Sequence, residues 1–246
     1  MRLLFIGGSG YVGGLVLPYL GQRHAIRVFD RRPPDVATPT IGWVRGDATD
    51  YAQLRECADG CDVVIHCAMG SADLDPIGGA AEAYDVNVKS VHLTLLAAHE
   101  AAVPHVVHVS SLSVYRDLLD RRLDGDEPAD ATDLYGLTKR LGEEVCRAAV
   151  TEWGMSVTSL RLTWPTADAD WPGWTRFGEP IYHETGDGVP VEPTAASDLA
   201  AAFEAALTRR EGYQSFIISG DRSARLWSVE PARHVLGWEP RFVPPR

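Results

Sequence analysis

Four apolar residues, Leu3-Leu4-Phe5-Ile6, run directly into Gly7-Gly8-Ser9-Gly10-Tyr11-Val12-Gly13, and a helical stretch follows from Tyr11 to Leu20. This join restricts the fold more than any other feature of the chain. A short, unbroken apolar run ending in glycines reads as a strand covered on both faces, as in a parallel sheet. Parallel strands need a crossover, and the helix supplies one. Glycines at positions 7, 10 and 13 then have a physical purpose. They permit a tight turn, let another group approach the backbone closely, and let the helix pack hard on the strand. Pro18 falls inside the predicted helix and predicts a kink or an early end.

The pattern repeats. Further strands are predicted at Ala25 to Phe29, closed by Asp30, at Trp43 to Arg45, at Asp62 to His66, at His105 to Val109 with Ser110-Ser111 at its carboxyl end, at Val157 to Leu162, and at Phe216 to Ile218. Helices are predicted at Ala80 to Ala101, at Leu134 to Trp153 with a stop at Gly154, from Ser197-Asp198 to Leu207, and at Ser228 to Leu236. Ser197 or Asp198 is expected to cap its helix. Strands alternating with helices at this spacing predict an α/β fold with a doubly wound parallel sheet. Ligands of such sheets sit at the carboxyl ends of the strands. Between Trp164 and Pro193 the chain is rich in Trp, Pro, Gly and Asp and loses its periodicity, which predicts a small lobe over the site.

A chain of 246 residues suits one well-buried domain with a small appendage. Its net charge of −11 argues against a nucleic-acid surface, which needs a basic face. Cys57, Cys61, Cys67 and Cys146 show no zinc spacing, so no metal site is expected. They read as buried or half-buried free thiols in a reducing cytoplasm. No stretch approaches membrane-spanning length, and Met1-Arg2 leads into a strand rather than a signal peptide.

The glycine turn opening a helix is a dinucleotide cradle. Backbone N–H groups and the helix N-terminus carry partial positive charge where a pyrophosphate would lie. Asp30 ends the second strand, where a carboxylate bonds both ribose hydroxyls and repels a 2′-phosphate, which favours NAD over NADP. Arg31 and Arg32 pull the other way: either grips a 2′-phosphate or faces solvent. Asp47 is placed to bond the adenine amino group, or else to cap a turn. The expected cofactor contacts here are Gly7, Gly10, Tyr11, Val12, Gly13, Asp30, Arg31, Asp47 and Ala48.

Tyr135-Gly136-Leu137-Thr138-Lys139 carries the chemistry. A phenol with a pKa near ~10 is a poor base at neutral pH. A lysine four residues on lies on the same helix face, and its charge lowers the phenol's pKa so that it can act as acid or base. Ser111 ends the fifth strand and can hold a substrate oxygen against Tyr135; Ser110 and Ser113 are its rivals.

With these residues in place, the chain resembles the short-chain dehydrogenase/reductase superfamily and, within it, the extended branch, the NAD-dependent epimerase/dehydratase family. The resemblance runs over nearly the whole chain. Its further marks are Gly46-Asp47, His66-Cys67-Ala68, Asn87-Val88, Val114-Tyr115 and Leu236-Gly237-Trp238-Glu239-Pro240. It implies a Rossmann domain over residues 1–162 that carries the catalytic residues. Residues 163–246 would form the substrate-side segment and a small carboxyl-terminal substrate-binding lobe, partly integrated in the same fold. Ser111, Tyr135 and Lys139 would be the catalytic triad, with Lys139 and Tyr135 also at the cofactor. Ala68 would line the cofactor, Asn87 would brace the sheet beside it, and Trp164-Pro165 would pack near the nicotinamide. Family resemblance also implies a homodimer through the helices at Ala80 to Ala101 and Leu134 to Trp153.

Two departures from the family pattern narrow the reading. Arg116 stands where a glycine usually follows Val-Tyr, which changes the loop there. Leu112-Ser113 follow Ser111 where sugar-nucleotide dehydratases carry an Asp-Glu pair, which argues against dehydration. The short carboxyl-terminal lobe favours a free sugar, uronic acid or lactone over a nucleotide sugar; small uronate dehydrogenases of the family have similar length and a like Leu-Gly-Trp ending. Arg176, among Trp171, Trp174 and Phe177, can bind a carboxylate while tryptophans stack on a sugar face, or can be a surface arginine. Trp164 and Arg176 join Ser111 as expected substrate contacts, and His183 is expected to be structural. The expected function is an NAD(P)-dependent oxidoreductase that transfers a hydride between the nicotinamide and a hydroxyl or carbonyl carbon of a sugar or sugar acid, with Tyr135 as acid or base. An epimerase with tightly held NAD, and a catalytically silent nucleotide sensor, are the alternatives.

Overall fold

Strand β1 (Arg2–Ile6) sorts its side chains by parity: Leu3 and Phe5 enter the apolar layer on one face, Leu4 and Ile6 the layer on the other. Successive strand residues point to opposite faces, so a strand apolar throughout must be covered on both sides. The computed structural model, which describes residues 1–70 and 78–244, shows what covers it. After β1 come α1 (Tyr11–Leu20), β2 (Ala25–Asp30), β3 (Ile41–Arg45), α2 (Tyr51–Ala58), β4 (Val63–His66) and α3 (Gly78–Tyr84). A π-helical turn (Asp85–Lys89), α4 (Ser90–Glu100), β5 (His105–Ser111), a 3₁₀ turn (Leu112–Val114), α5 (Leu134–Trp153) and β6 (Ser156–Leu162) follow. The short strands β7 (Pro165–Thr166), β8 (His183–Glu184), β9 (Pro190–Val191) and β10 (Thr194–Ala195) precede α6 (Ala196–Thr208), β11 (Tyr213–Ile218) and α7 (Glu230–Leu236).

The main sheet has seven parallel strands in the order β11-β6-β5-β4-β1-β2-β3. The winding reverses beside β1, whose neighbours are β2 and β4. That switch point opens a crevice at the strands' carboxyl ends. Val16, Leu17 and Leu20 of α1 and Leu199, Phe203 and Leu207 of α6 fill one face. Leu54 of α2, Leu95 of α4 and Cys146 of α5 fill the other. Each such buried side chain contributes about 1.5–3 kcal/mol. The stretch after residue 162 does not stand apart: β11 and α6 belong to the main sheet and its cover, while β7 pairs with β10 and β8 with β9 beside the crevice.

Two local expectations need correction. The helix predicted from Ala80 to Ala101 swells into a π turn at Asp85–Lys89, which turns Asn87 inward. Helix α1 keeps its expected bounds with Pro18 inside it and ends at Leu20. Neither Ser197 nor Asp198 caps α6. Asp168, from a distant loop, accepts the Ser197 N–H at 3.0 Å, and Asp198 instead accepts the N–H groups of Arg241 and Phe242, each at 2.9 Å. Leu134–Trp153 forms as expected, capped by Asp133, whose carboxylate accepts the Gly136 N–H, and stopped by Gly154 with positive φ. The four cysteines are free thiols, two buried and two half-buried. Among the described residues no helix is long and apolar enough to cross a membrane, and no cluster of metal-binding side chains occurs.

Candidate active site

A cleft of about 600 Å³ lies along the carboxyl ends of β1, β2, β4 and β5. Its floor is the glycine turn. Gly7 has φ +76°, and a Cβ there would lie 2.4 Å from the Ala68 backbone nitrogen. A Cβ on Gly13 would lie 2.0 Å from the Gly8 carbonyl oxygen, so α1 is seated directly on the turn. Gly13 shapes the cradle from behind and does not line the cleft; Gly7, Gly10, Tyr11 and Val12 do.

At one end stand Asp30, Arg31, Asp47 and Ala48. Asp30 accepts the Ser9 N–H at 3.0 Å, which fixes its carboxylate beside the turn. The two arginines separate. Arg32 donates to the Ser9 carbonyl at 2.6 Å, and Ser9 Oγ donates to the Arg32 carbonyl at 2.7 Å, so Arg32 belongs to the turn itself. Arg31 reaches across the cleft to within 3.7 Å of Glu82. Asp47 accepts both the N–H and the Oγ proton of Thr49 at 2.8 Å, bonds that hold its carboxyl below the usual carboxylate range. It is thus the anchor of a turn and a wall of the cleft at once.

Asn87 is corrected. It is buried behind the wall, accepting the Gly70 N–H at 3.2 Å and donating to Thr138 Oγ at 3.0 Å. It braces the loop after β4 against α5 and does not border the cleft.

The middle of the cleft brings Ser111, Tyr135 and Lys139 together. Ser111 ends β5, and its Oγ accepts the Ser113 N–H at 3.1 Å. Tyr135 stands in the first turn of α5, and Lys139 one turn on is buried, donating Nζ to the Val109 carbonyl at 2.9 Å. Ser110 and Ser113 also border the cleft, and the Ser110 hydroxyl is committed to Glu143, to which it donates at 2.7 Å. Beneath this group His66 and His108 lie buried with ring centroids 6.0 Å apart. Burial, with Lys139 nearby, pushes His108 down to about 3, so it is neutral.

The far end is aromatic. Trp164, Pro165, Trp174 and Arg176 line it. Trp164 stacks on His183, centroids 3.5 Å apart, and burial lowers the His183 pKa, so a neutral ring serves the stack. Arg176 Nη2 rests 3.3 Å from Met69 Sδ and has no acidic partner among the described residues. Tyr11 donates its phenol proton to the Pro165 carbonyl at 2.8 Å, tying the glycine turn to this wall. Met69, Leu118 and Trp227 complete it and were not expected. Trp227 is fully buried, meets Trp164 edge-on, and donates its indole N–H to the Leu118 carbonyl at 3.0 Å. Its position before α7 offers no periodicity or motif that could have marked it.

The residues present fit a dinucleotide. The turn has no room for a side chain at Gly7 or Gly13, the first turn of α1 carries no acidic residue, and a fixed carboxylate stands where a ribose would lie.

Residues 3–167 match the model of the NAD dependent epimerase/dehydratase family. An NAD-dependent glucose-6-phosphate dehydrogenase of Haloferax volcanii is 26% identical, over 97% of this chain and 92% of its own length. A uronate dehydrogenase of Pseudomonas putida is 27% identical, over 65% of this chain and 60% of its own. Among solved structures, a short-chain dehydrogenase/reductase superfamily protein from Agrobacterium tumefaciens with bound NAD has the same fold, with a TM-score of 0.82 at 22% identity over 99% of this chain and 93% of that one.

Proposed function

We propose, from the premise that this chain belongs to the NAD dependent epimerase/dehydratase family, that it is an NAD-dependent dehydrogenase oxidising a hydroxyl of a sugar or sugar acid. The observation that carries this reading is the shared cleft: Ser111, Tyr135 and Lys139 border the same space as the glycine turn and Arg176. Bound NAD supplies the hydride acceptor for the carbinol carbon. Gly7, Gly10 and the N-terminus of α1 would hold its pyrophosphate, Asp30 its adenosine ribose, and Asp47 with Ala48 its adenine. The Asp30 carboxylate opposes a 2′-phosphate, and Arg31 is engaged with Glu82, which supports NAD over NADP.

The chain's own work is proton transfer and orientation. Tyr135 takes the substrate hydroxyl proton as the carbon is oxidised. Ser111 Oγ donates to the same oxygen and holds it at the phenol. Lys139 stands one turn on, on the same face of α5. With one Nζ proton on the Val109 carbonyl, the others are free for the cofactor ribose. Trp164 and Trp174 offer flat faces to a sugar ring, and Arg176 would take an acidic group. The relatives' names, a glucose-6-phosphate and a uronate dehydrogenase, both denote anionic sugars, which suits that cation.

The test is reduction of NAD, read by absorbance, with a panel of sugars, sugar phosphates and uronic acids. A substrate-dependent rise that Tyr135→Phe lowers by about two to four orders of magnitude is expected. Cofactor carried through purification with no net reduction would replace the dehydrogenase with an epimerase. Failure to bind NAD at all would refute both and leave the sensor. The same reading includes a homodimer joined through α4 and α5, to be checked by mass in solution, and a site of action in the reducing cytoplasm, to which the free thiols are suited.

A further inference from the structure

Glu143 lies one turn beyond Lys139, on the face of α5 that carries Tyr135 and Lys139. Arg161 of β6 forks onto it, Nε to Oε1 at 2.9 Å and Nη2 to Oε2 at 2.7 Å. The two side chains are 2% and 1% exposed. Such a pair is weak evidence for stability, because apolar replacements of like volume are often as stable. Its remaining partners suggest another purpose. Ser110 donates to Glu143 Oε1 at 2.7 Å. Ser110 is the neighbour of Ser111, so this bond ties the strand end that presents Ser111 to the helix that presents Tyr135. The Lys139 bond to the Val109 carbonyl is a second tie between the same two elements. Arg161 also donates to the Gly125 carbonyl at 3.1 Å and to the Tyr115 phenol, which holds the segment between β5 and α5 against β6.

We propose that Ser110, Glu143 and Arg161 are a positioning unit that sets the separation of Ser111 and Tyr135; the proposal rests on the roles given to those two residues above. Arg161 occupies both carboxylate oxygens, so Glu143 cannot swing, and Ser110 has one fixed acceptor. Strand and helix are thereby locked at a spacing that neither element dictates alone. None of the three needs to touch a reacting atom.

The experiment compares wild type, Ser110→Ala and Ser110→Thr in the NAD-reduction assay, with Tyr135→Phe alongside. Ser110→Ala leaves the Glu143–Arg161 pair whole and removes only the tie, so the fold survives. The expected result is a kcat about tenfold lower, with KM and the Kd for NAD within about twofold, and recovery of most of the rate by Ser110→Thr, which keeps the hydroxyl. A kcat within about twofold of wild type in Ser110→Ala would overturn the proposal, as would a loss that threonine does not restore. Crystal structures of wild type and Ser110→Ala judge it independently of turnover. Lengthening of the Ser111 Oγ to Tyr135 Oη distance by about 0.5 Å or more supports the tie, and an unchanged distance refutes it. Should Tyr135→Phe remain fully active, the role of Tyr135 fails while the tie is still decided by those two structures.

Discussion

Gly13→Ala is the sharpest test of the cradle, because Gly13 does not border the cleft and its effect must pass through the packing of α1. The added methyl carbon would lie 2.0 Å from the Gly8 carbonyl oxygen, 2.5 Å from its carbon and 2.8 Å from its Cα. Ordinary contact begins at 3.4 Å, so helix and turn must part by about 1.4 Å. All three atoms are backbone, and no flexible side chain can absorb the movement. Overpacking of this kind costs about 1–3 kcal/mol, and here relief comes by lifting the helix N-terminus off the turn. A donor group displaced by an ångström loses most of a hydrogen bond, and those to a charged group are worth about 1.5–3 kcal/mol each. The Kd for NAD, followed by quenching of tryptophan fluorescence, is therefore expected to rise at least about tenfold to a hundredfold. The melting temperature should fall by about 2–12 °C. Gly14→Ala is the control: a Cβ there meets nothing within 4 Å, and it should bind NAD as wild type does. Equal NAD affinity in Gly13→Ala and Gly14→Ala would refute the argument that close seating of α1 builds the cradle.

Arg176→Leu is expected to raise KM for acidic substrates by about ten- to a hundredfold, the worth of one charged hydrogen bond. It should leave uncharged sugars and the Kd for NAD unchanged; equal losses on charged and uncharged substrates would show that Arg176 only packs. Stability should fall with acid in a way that depends on His108. Its folded pKa is depressed by burial to about 3 from 6.5, so between those values the unfolded chain binds a proton that the folded chain refuses. Its contribution is therefore complete above pH 6.5 and lost as pH falls, at about 1.4 kcal/mol per pH unit for one histidine. In chemical denaturation from pH 7 to pH 5, His108→Gln should show a shallower slope than wild type whatever its absolute stability; parallel slopes would refute the assignment.

The parts of the fold that were legible in the sequence are those whose cause is local. The strand-turn-helix at Leu3 to Leu20 and the run Leu134–Trp153 carry their own instructions in apolar runs and glycines, and they stand where the spacing predicts. Tyr135 and Lys139 were legible because helical periodicity alone puts them on one face. The misreadings share the opposite cause. The cap of α6 comes from Asp168, 29 residues before it, so no inspection of Ser197-Asp198 could supply it. The π turn at Asp85–Lys89 has no composition of its own, and Asn87 turns inward to reach Gly70 and Thr138, partners that only the tertiary fold provides.

This division runs through the site itself. Its cofactor end is built largely from backbone, where glycines and one helix terminus suffice, and backbone demands leave a readable mark in sequence. Its aromatic end is built from side chains of separated segments, Met69, Leu118, Trp164, Trp174, Arg176 and Trp227. Those segments meet because Trp227 bonds the Leu118 carbonyl and stacks edge-on to Trp164, contacts that no spacing rule connects. Under the proposed function, Ser111, Tyr135 and Lys139 stand on β5 and α5 of the main fold, whereas the far wall hangs on loops, where insertions and exchanges are best tolerated.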